Sequence, residues 1–189
     1  MRQGEPLRSS AYVFILGLAG ILTGACSDIG PEDFALPPGS SPPITTDADV
    51  YMLGRVDGGY AGVAVATYTN TTDRPVFYRR CTRESSGPIY GLRRTGPDSG
   101  ARAFVGGVWA CVGGVPTGRV PAGGTLTTRV DLGSWDSPQA QPPITPEQRV
   151  GSFRIEFALC AEHADSDDCE ALPQTASESN AFELRFAGP

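Results

Sequence analysis

The chain contains no lysine, and all fifteen of its basic residues are arginine. Set against 21 acidic residues they leave a net charge of -6, which argues against nucleic-acid binding, because that needs a basic surface to displace counterions. The lysine gap itself reads as the codon bias of a GC-rich genome. Histidine occurs once, as His163, and its surroundings lack the spacing of a zinc site. No G-x-S-x-G elbow, H-E-x-x-H pair, C-x-x-C pair or phosphate-binding glycine loop between a strand and a helix is present, so neither an enzyme nor a cofactor is predicted. A Ser–His–Asp triad has only His163 to draw on, within an acidic stretch. Absent too is an apolar run of the roughly 20 residues that cross a bilayer. The longest, residues 11–22 (AYVFILGLAGIL), is about a dozen.

That run has the length of a signal h-region, preceded by Arg2 and Arg8 and followed by the small residues Thr23, Gly24 and Ala25. Residues 1–25 are therefore expected to be an export signal. The stretch Leu22-Thr23-Gly24-Ala25-Cys26 resembles the bacterial lipobox, in which an aliphatic residue and two small ones precede a cysteine that receives diacylglycerol. Thr23 stands where the family prefers Leu, with Leu22 one position earlier. The resemblance implies lipidation of Cys26, with palmitate-type acyl chains anchoring the protein to a membrane on the periplasmic or outer-membrane face of the envelope. The alternative is plain secretion after cleavage at Ala25. Cysteine parity favours lipidation: five cysteines cannot all pair, and an unpaired thiol is a liability in an oxidising compartment. With Cys26 acylated, Cys81, Cys111, Cys160 and Cys169 form two disulfides. Loss of residues 1–25 removes two arginines and one glutamate, moving the net charge from -6 to -7.

Residues 26–46 carry the lipidated cysteine and a Pro-, Ser- and Gly-rich stretch read as a tether, with a reach of up to about 60 Å if extended. Residues 47–189 suit one domain. Helical periodicity is nearly absent there, whereas alternation of period two is frequent. Residues 151–160 (GSFRIEFALC) direct Phe153, Ile155, Phe157 and Leu159 one way and Arg154 and Glu156 the other. Residues 180–187 repeat this with Phe182, Leu184 and Phe186, and residues 125–132 with Leu126, Thr128, Val130 and Leu132. Residues 60–69 and 75–81 read as strands joined by a hairpin-type loop at 70–74, and residues 50–56, 89–94 and 102–110 as weaker strands. Seven to nine short strands without intervening helices indicate an all-β antiparallel sandwich.

The segments NTTDRPVFYRRC, RVPAGGTLTTRVDL, GSFRIEFALC and SNAFELRF resemble, in that order, strands B–C, E, F and G of the immunoglobulin-like domains of bacterial envelope lipoproteins. The likeness covers residues 50–188 and implies an immunoglobulin-like or fibronectin-like sandwich, although the B strand has no cysteine and the C strand no tryptophan. On this reading Cys160 pairs with Cys169 at the end of strand F, and Cys81 with Cys111, out of the three pairings that four cysteines allow. The chain is also similar to the bacterial intracellular proteinase-inhibitor sandwich, which makes protease inhibition through an exposed loop the alternative function.

The leading expectation is a non-enzymatic binding or structural module held on the membrane, whose partner is an envelope protein or a glycan. The loops at 84–100 and 133–146 are its expected contact surfaces. Residues 73–102 include seven arginines against the three acids Asp73, Glu84 and Asp98, an excess suited to an anionic partner unless Arg79 or Arg80 pairs with Glu156 across neighbouring strands. Asp165, Asp167 and Asp168 offer oxygen ligands for calcium without EF-hand spacing, so a solvated loop is the simpler reading. Trp109, Trp135, Tyr90 and Phe104 are weighed as a sugar platform against ordinary packing. Asn70-Thr71-Thr72 matches a glycosylation sequon but reads as turn chemistry behind a bacterial export signal.

Overall fold

The computed structural model describes residues 34–81, 87–96, 117–135, 146–162 and 169–188. The signal segment, Cys26, Cys111 and the strand expected at 102–110 lie outside them. The described chain is predominantly β, with one short α-helix and a 3-10 turn at Pro146–Arg149, and forms a sandwich. One layer joins β1 (Ile44–Thr46), β4 (Val63–Thr69) and β8 (Thr125–Asp131) in the order β1-β4-β8. The other runs β6-β10-β12-β2-β3-β9, from β6 (Tyr90–Arg94) through β10 (Gly151–Phe157), β12 (Phe182–Phe186), β2 (Val50–Val56) and β3 (Gly59–Ala61) to β9 (Ser134–Trp135). Alongside it lie β11 (Leu159–Cys160), β5 (Val76–Arg79) and β7 (Thr117–Val120), in the order β11-β5-β7.

The strongest sequence alternation makes the centre of the core. Phe153, Ile155, Phe157 and Leu159 are at most 1% exposed, and Leu184 from β12 and Ala64, Ala66 and Val130 from the facing layer are fully buried. Tyr51 packs edge-to-face on Phe182 with ring centroids 5.3 Å apart, the geometry that aromatic quadrupoles favour.

The loop at 70–74 is not a hairpin, since β4 and β5 belong to different layers: β4 pairs with β1 and β8, and β5 with β11 and β7. It is an arch, and Asn70 builds it. This fully buried side chain donates through Nδ2 to the carbonyls of Arg74, Val120 and Pro121, while its Oδ1 accepts from the backbone N–H and hydroxyl of Thr72. Its backbone exchanges hydrogen bonds with Gly123 and Gly124, so one asparagine ties the arch to the turn before β8. The sequon is therefore turn chemistry.

The twelve strand segments among the described residues exceed the seven to nine expected, because several continuous runs are split. Residues 60–69 divide at Gly62, where the chain leaves β3 in the wide layer and enters β4 in the other. A Cβ there would meet Leu53 Cδ2 at 2.8 Å. β5 and β6 are two halves of one line along the paired β10 and β11, stitched where Arg79 N–H bonds Ala158 O, Ile89 N–H bonds Arg79 O, and Ala158 N–H bonds Ile89 O. The core also draws on residues before 47: Ile44 in β1 is fully buried, Phe34 is 5% exposed, and both belong to the core cluster.

Candidate interaction face

The wide layer turns one face to the core and one outward, and on its outward face β10 brings residues from three segments into register. Arg154 faces Arg93 of β6 directly, and Glu156 faces Glu178 of the chain leading into β12. Like charges set opposite each other destabilise a sheet. Here the diagonal pairing relieves them, because the Arg93 guanidinium forms a salt bridge with Glu178. Arg154 donates from Nη1 to the Ser179 carbonyl at 2.8 Å.

Glu178 is only 7% exposed and Ser179 not at all. The run Ser177-Glu178-Ser179-Asn180 follows the single-turn helix α1 (Gln174–Ser177), which comes after Pro173. It looks like a solvated loop in sequence but closes the sheet instead. Ser179 Oγ accepts from Ile155 N–H at 2.9 Å and donates to Asn180 O at 2.7 Å, and the Asn180 side chain bonds the backbone and hydroxyl of Thr46. Gln174 donates to the Glu178 carboxylate. Desolvation is the largest influence on Glu178 and pushes its carboxyl above the usual range; Arg93 and Arg154 oppose this and Glu156 adds to it. Four charges of zero net sign thus occupy the outer surface of β6 and β10.

Beside them is an open depression of about 290 Å³ lined by Asp49, Ser152, Ala181, Phe182 and Glu183. Glu183 is paired with Arg185 at 2.6 Å, and the Ser152 hydroxyl accepts from Thr95 at 2.7 Å. Further along the same face β2 exposes Val50 and Met52, 41% and 51% exposed.

The anticipated arrangement of charges is corrected. Glu156 lies opposite Gly91, not beside Arg79 or Arg80, and Arg80 instead donates to Thr117 O at 3.3 Å. Tyr90 does not join a sugar platform: it is 8% exposed, a core member, and its hydroxyl accepts from Asp131 N–H. Trp109, Phe104, Arg102 and the aspartates at 165, 167 and 168 lie outside the described residues. So do residues 136–145 of one expected contact loop and residues 84–86 and 97–100 of the other, whose middle is not a loop but β6. Among the described residues there is no cluster of three or more potential metal ligands, and no helix long and apolar enough to cross a membrane.

Cys160 is bonded to Cys169, with Cα atoms 5.7 Å apart. Around that bond Ala161 N–H bonds Glu170 O and Leu172 N–H bonds Leu159 O, so the base of the acidic loop is a closed pair of strands. Cys81 is also disulfide-bonded, to a sulfur outside the described residues. No protein-family model matches the chain, and no curated protein matches it.

Proposed function

We propose that this chain is a non-enzymatic exported lipoprotein, anchored through Cys26, whose immunoglobulin-like domain serves as a binding or structural module for an envelope protein or glycan. The observation that carries the reading is the state of the cysteines. With Cys160 bonded to Cys169 and Cys81 also bonded, pairing of Cys81 with Cys111 leaves Cys26 as the odd cysteine, placed directly after an export-type segment. Two disulfides suit an oxidising compartment. The order β1-β4-β8 against β7, β5 with β6, β10 with β11, then β12 and β2 supports A-B-E facing C′-C-F-G-A′. The parallel pairing of β2 with β12 supports a first strand that passes from one layer to the other. Recognition then falls to the outer face of β6 and β10 and to the adjoining loops.

Cys26→Ser tests the anchor. The variant is expected to lose metabolic acyl labelling and to leave the membrane fraction, and continued retention in the membrane overturns the reading. A non-reducing digest should link Cys81 to Cys111; a Cys26–Cys81 peptide overturns the assignment of Cys26 to lipid. Dose-dependent inhibition of a protease by the purified protein would replace the binding-module reading with the inhibitor one.

A further inference from the structure

We propose that residues 34–43 are an integral strap of the domain rather than part of a free tether, so that the lipid leash is only the chain from Cys26 to Phe34 and the domain works against the bilayer surface. The inference rests on the lipoprotein reading for its membrane and on the fold for its strap. Phe34 is buried to 5% exposure within the core cluster. At the other end, Pro43 is buried and its carbonyl accepts from Thr69 N–H at 2.8 Å, directly ahead of β1. Between these points Pro37-Pro38-Gly39-Ser40 forms a turn closed by Ser40 N–H to Pro37 O at 3.1 Å, with Gly39 at φ 84°. Proline at the second position and glycine at a positive-φ third position are what a type II turn requires, so the composition that suggested a flexible linker is the composition of a fixed turn.

The geometry of reach follows. Eight peptide steps separate Cys26 from Phe34, spanning at most about 29 Å, whereas a tether free as far as Ile44 would reach about 60 Å. The strapped end of the domain therefore stays within about 29 Å of its lipid.

Chymotrypsin gives a direct test, because Phe34 is the only aromatic residue between Cys26 and Tyr51, and Leu36 is protected by Pro37. In the full-length lipidated protein in detergent, cleavage at Phe34–Ala35 is expected to be at least about a hundredfold slower than in a synthetic peptide of residues 27–43. A slowing of less than about tenfold overturns the strap. On supported bilayers of phosphatidylethanolamine and phosphatidylglycerol, neutron reflectometry should place the near edge of the wild-type domain within about 29 Å of the headgroups. Phe34→Leu should keep that spacing and Phe34→Ser should widen it, and identical spacing in all three overturns the proposal. Failure of wild-type protein to associate with the bilayer sinks the lipid anchor alone, and the cleavage ratio still decides the strap.

Discussion

Two polar constructions hold this sandwich, and they work by opposite physics. At the Asn70 corner a neutral side chain is fully buried and all of its hydrogen-bonding capacity is met by nearby backbone and one hydroxyl. On the outer face of β6 and β10 a carboxylate is held at the edge of burial by cations from other segments. The corner gains because nothing is left unsatisfied. The face gains only while its charges stay paired, since the desolvation of an ion can exceed what its partner returns. The first suits a joint that must not move, and the second a surface whose partners can be exchanged for those of a bound molecule.

The comparison is broken most readily at Asn70. Asn70→Ala strands three carbonyls and the Thr72 amide, and should lower the unfolding free energy by about 3 kcal/mol in urea titrations with an unchanged slope. Asn70→Asp is the sharper probe. Aspartate is a good turn residue and keeps the Oδ1 acceptor, so turn chemistry alone predicts little change. The corner described here predicts a loss at least as large as that of Asn70→Ala at pH 7, because a carboxylate would confront the three carbonyls that Nδ2 now serves. A neutral Asn70→Asp would show that the arch needs only its local turn.

On the charged face the two partners should respond unequally. Arg93→Met takes the salt-bridge partner from the largely buried Glu178, leaving only the Arg154 charge to oppose its desolvation, and should cost about 3 kcal/mol at neutral pH. Glu178→Gln removes the desolvated charge and leaves an exposed-edge arginine, so its cost should stay under about 1 kcal/mol. The folded carboxyl titrates above its unfolded value of 4.5, so its contribution is fully present below that pH and is lost as pH rises through the folded value. The Arg93→Met deficit should accordingly shrink on acidification. Equal losses for the two variants, independent of pH, would mean that packing of the side-chain stems, not charge, holds the face.

Tyr68 extends the neutral case. Burial pushes its phenol up to about 12 from the ordinary 10.0, and Tyr51 rises to about 12 mainly through burial, helped by the Asp47 carboxylate. Stability held by a raised tyrosine is complete below pH 10 and disappears as pH climbs through 12. The fold should therefore lose about 2 kcal/mol for Tyr68 across that window. The ionisation of Tyr68, followed by NMR, and the loss of circular dichroism should coincide in one alkaline transition. A loss of structure well before tyrosinate appears would contradict it.

The same contrast separates what could be read in the sequence from what could not. The strand at 151–160, with its four inward residues and the Cys160–Cys169 bond at its end, was legible because alternation of period two and close cysteines are local signals. Asn70 was legible as a turn residue, but not as the joint between layers, since Val120 and Pro121 are some fifty residues away. Glu178 and Ser179 gave no signal, because a polar Ser-Glu-Ser-Asn run is buried only through the register it takes against Ile155 and Glu156. The 34–43 segment misled for the converse reason: Pro and Gly signal both a flexible linker and a type II turn, and the burial of Phe34 depends on the rest of the fold.

Asp47 lies between the two constructions and should show the smallest effect. Its Oδ1 accepts from the Tyr51 hydroxyl at 2.5 Å and from Val65 N–H at 2.8 Å, pinning the crossing from β1 to β2 against β4. These bonds, the Tyr51 one foremost, hold its carboxyl below the ordinary 3.8. A depressed carboxylate contributes stability that is present above the unfolded value and lost as pH falls through the folded one, so the contribution should vanish only below about pH 3.8. Because Asp47 is exposed, solvent screens it, and Asp47→Asn should cost only a few tenths of a kcal/mol at pH 7. The variant should nevertheless lower the alkaline midpoint of Tyr51, since it removes the carboxylate that discourages the phenolate. An unchanged Tyr51 titration in Asp47→Asn, followed by NMR, would leave burial alone as the cause of that raised phenol and place this contact with the neutral corner.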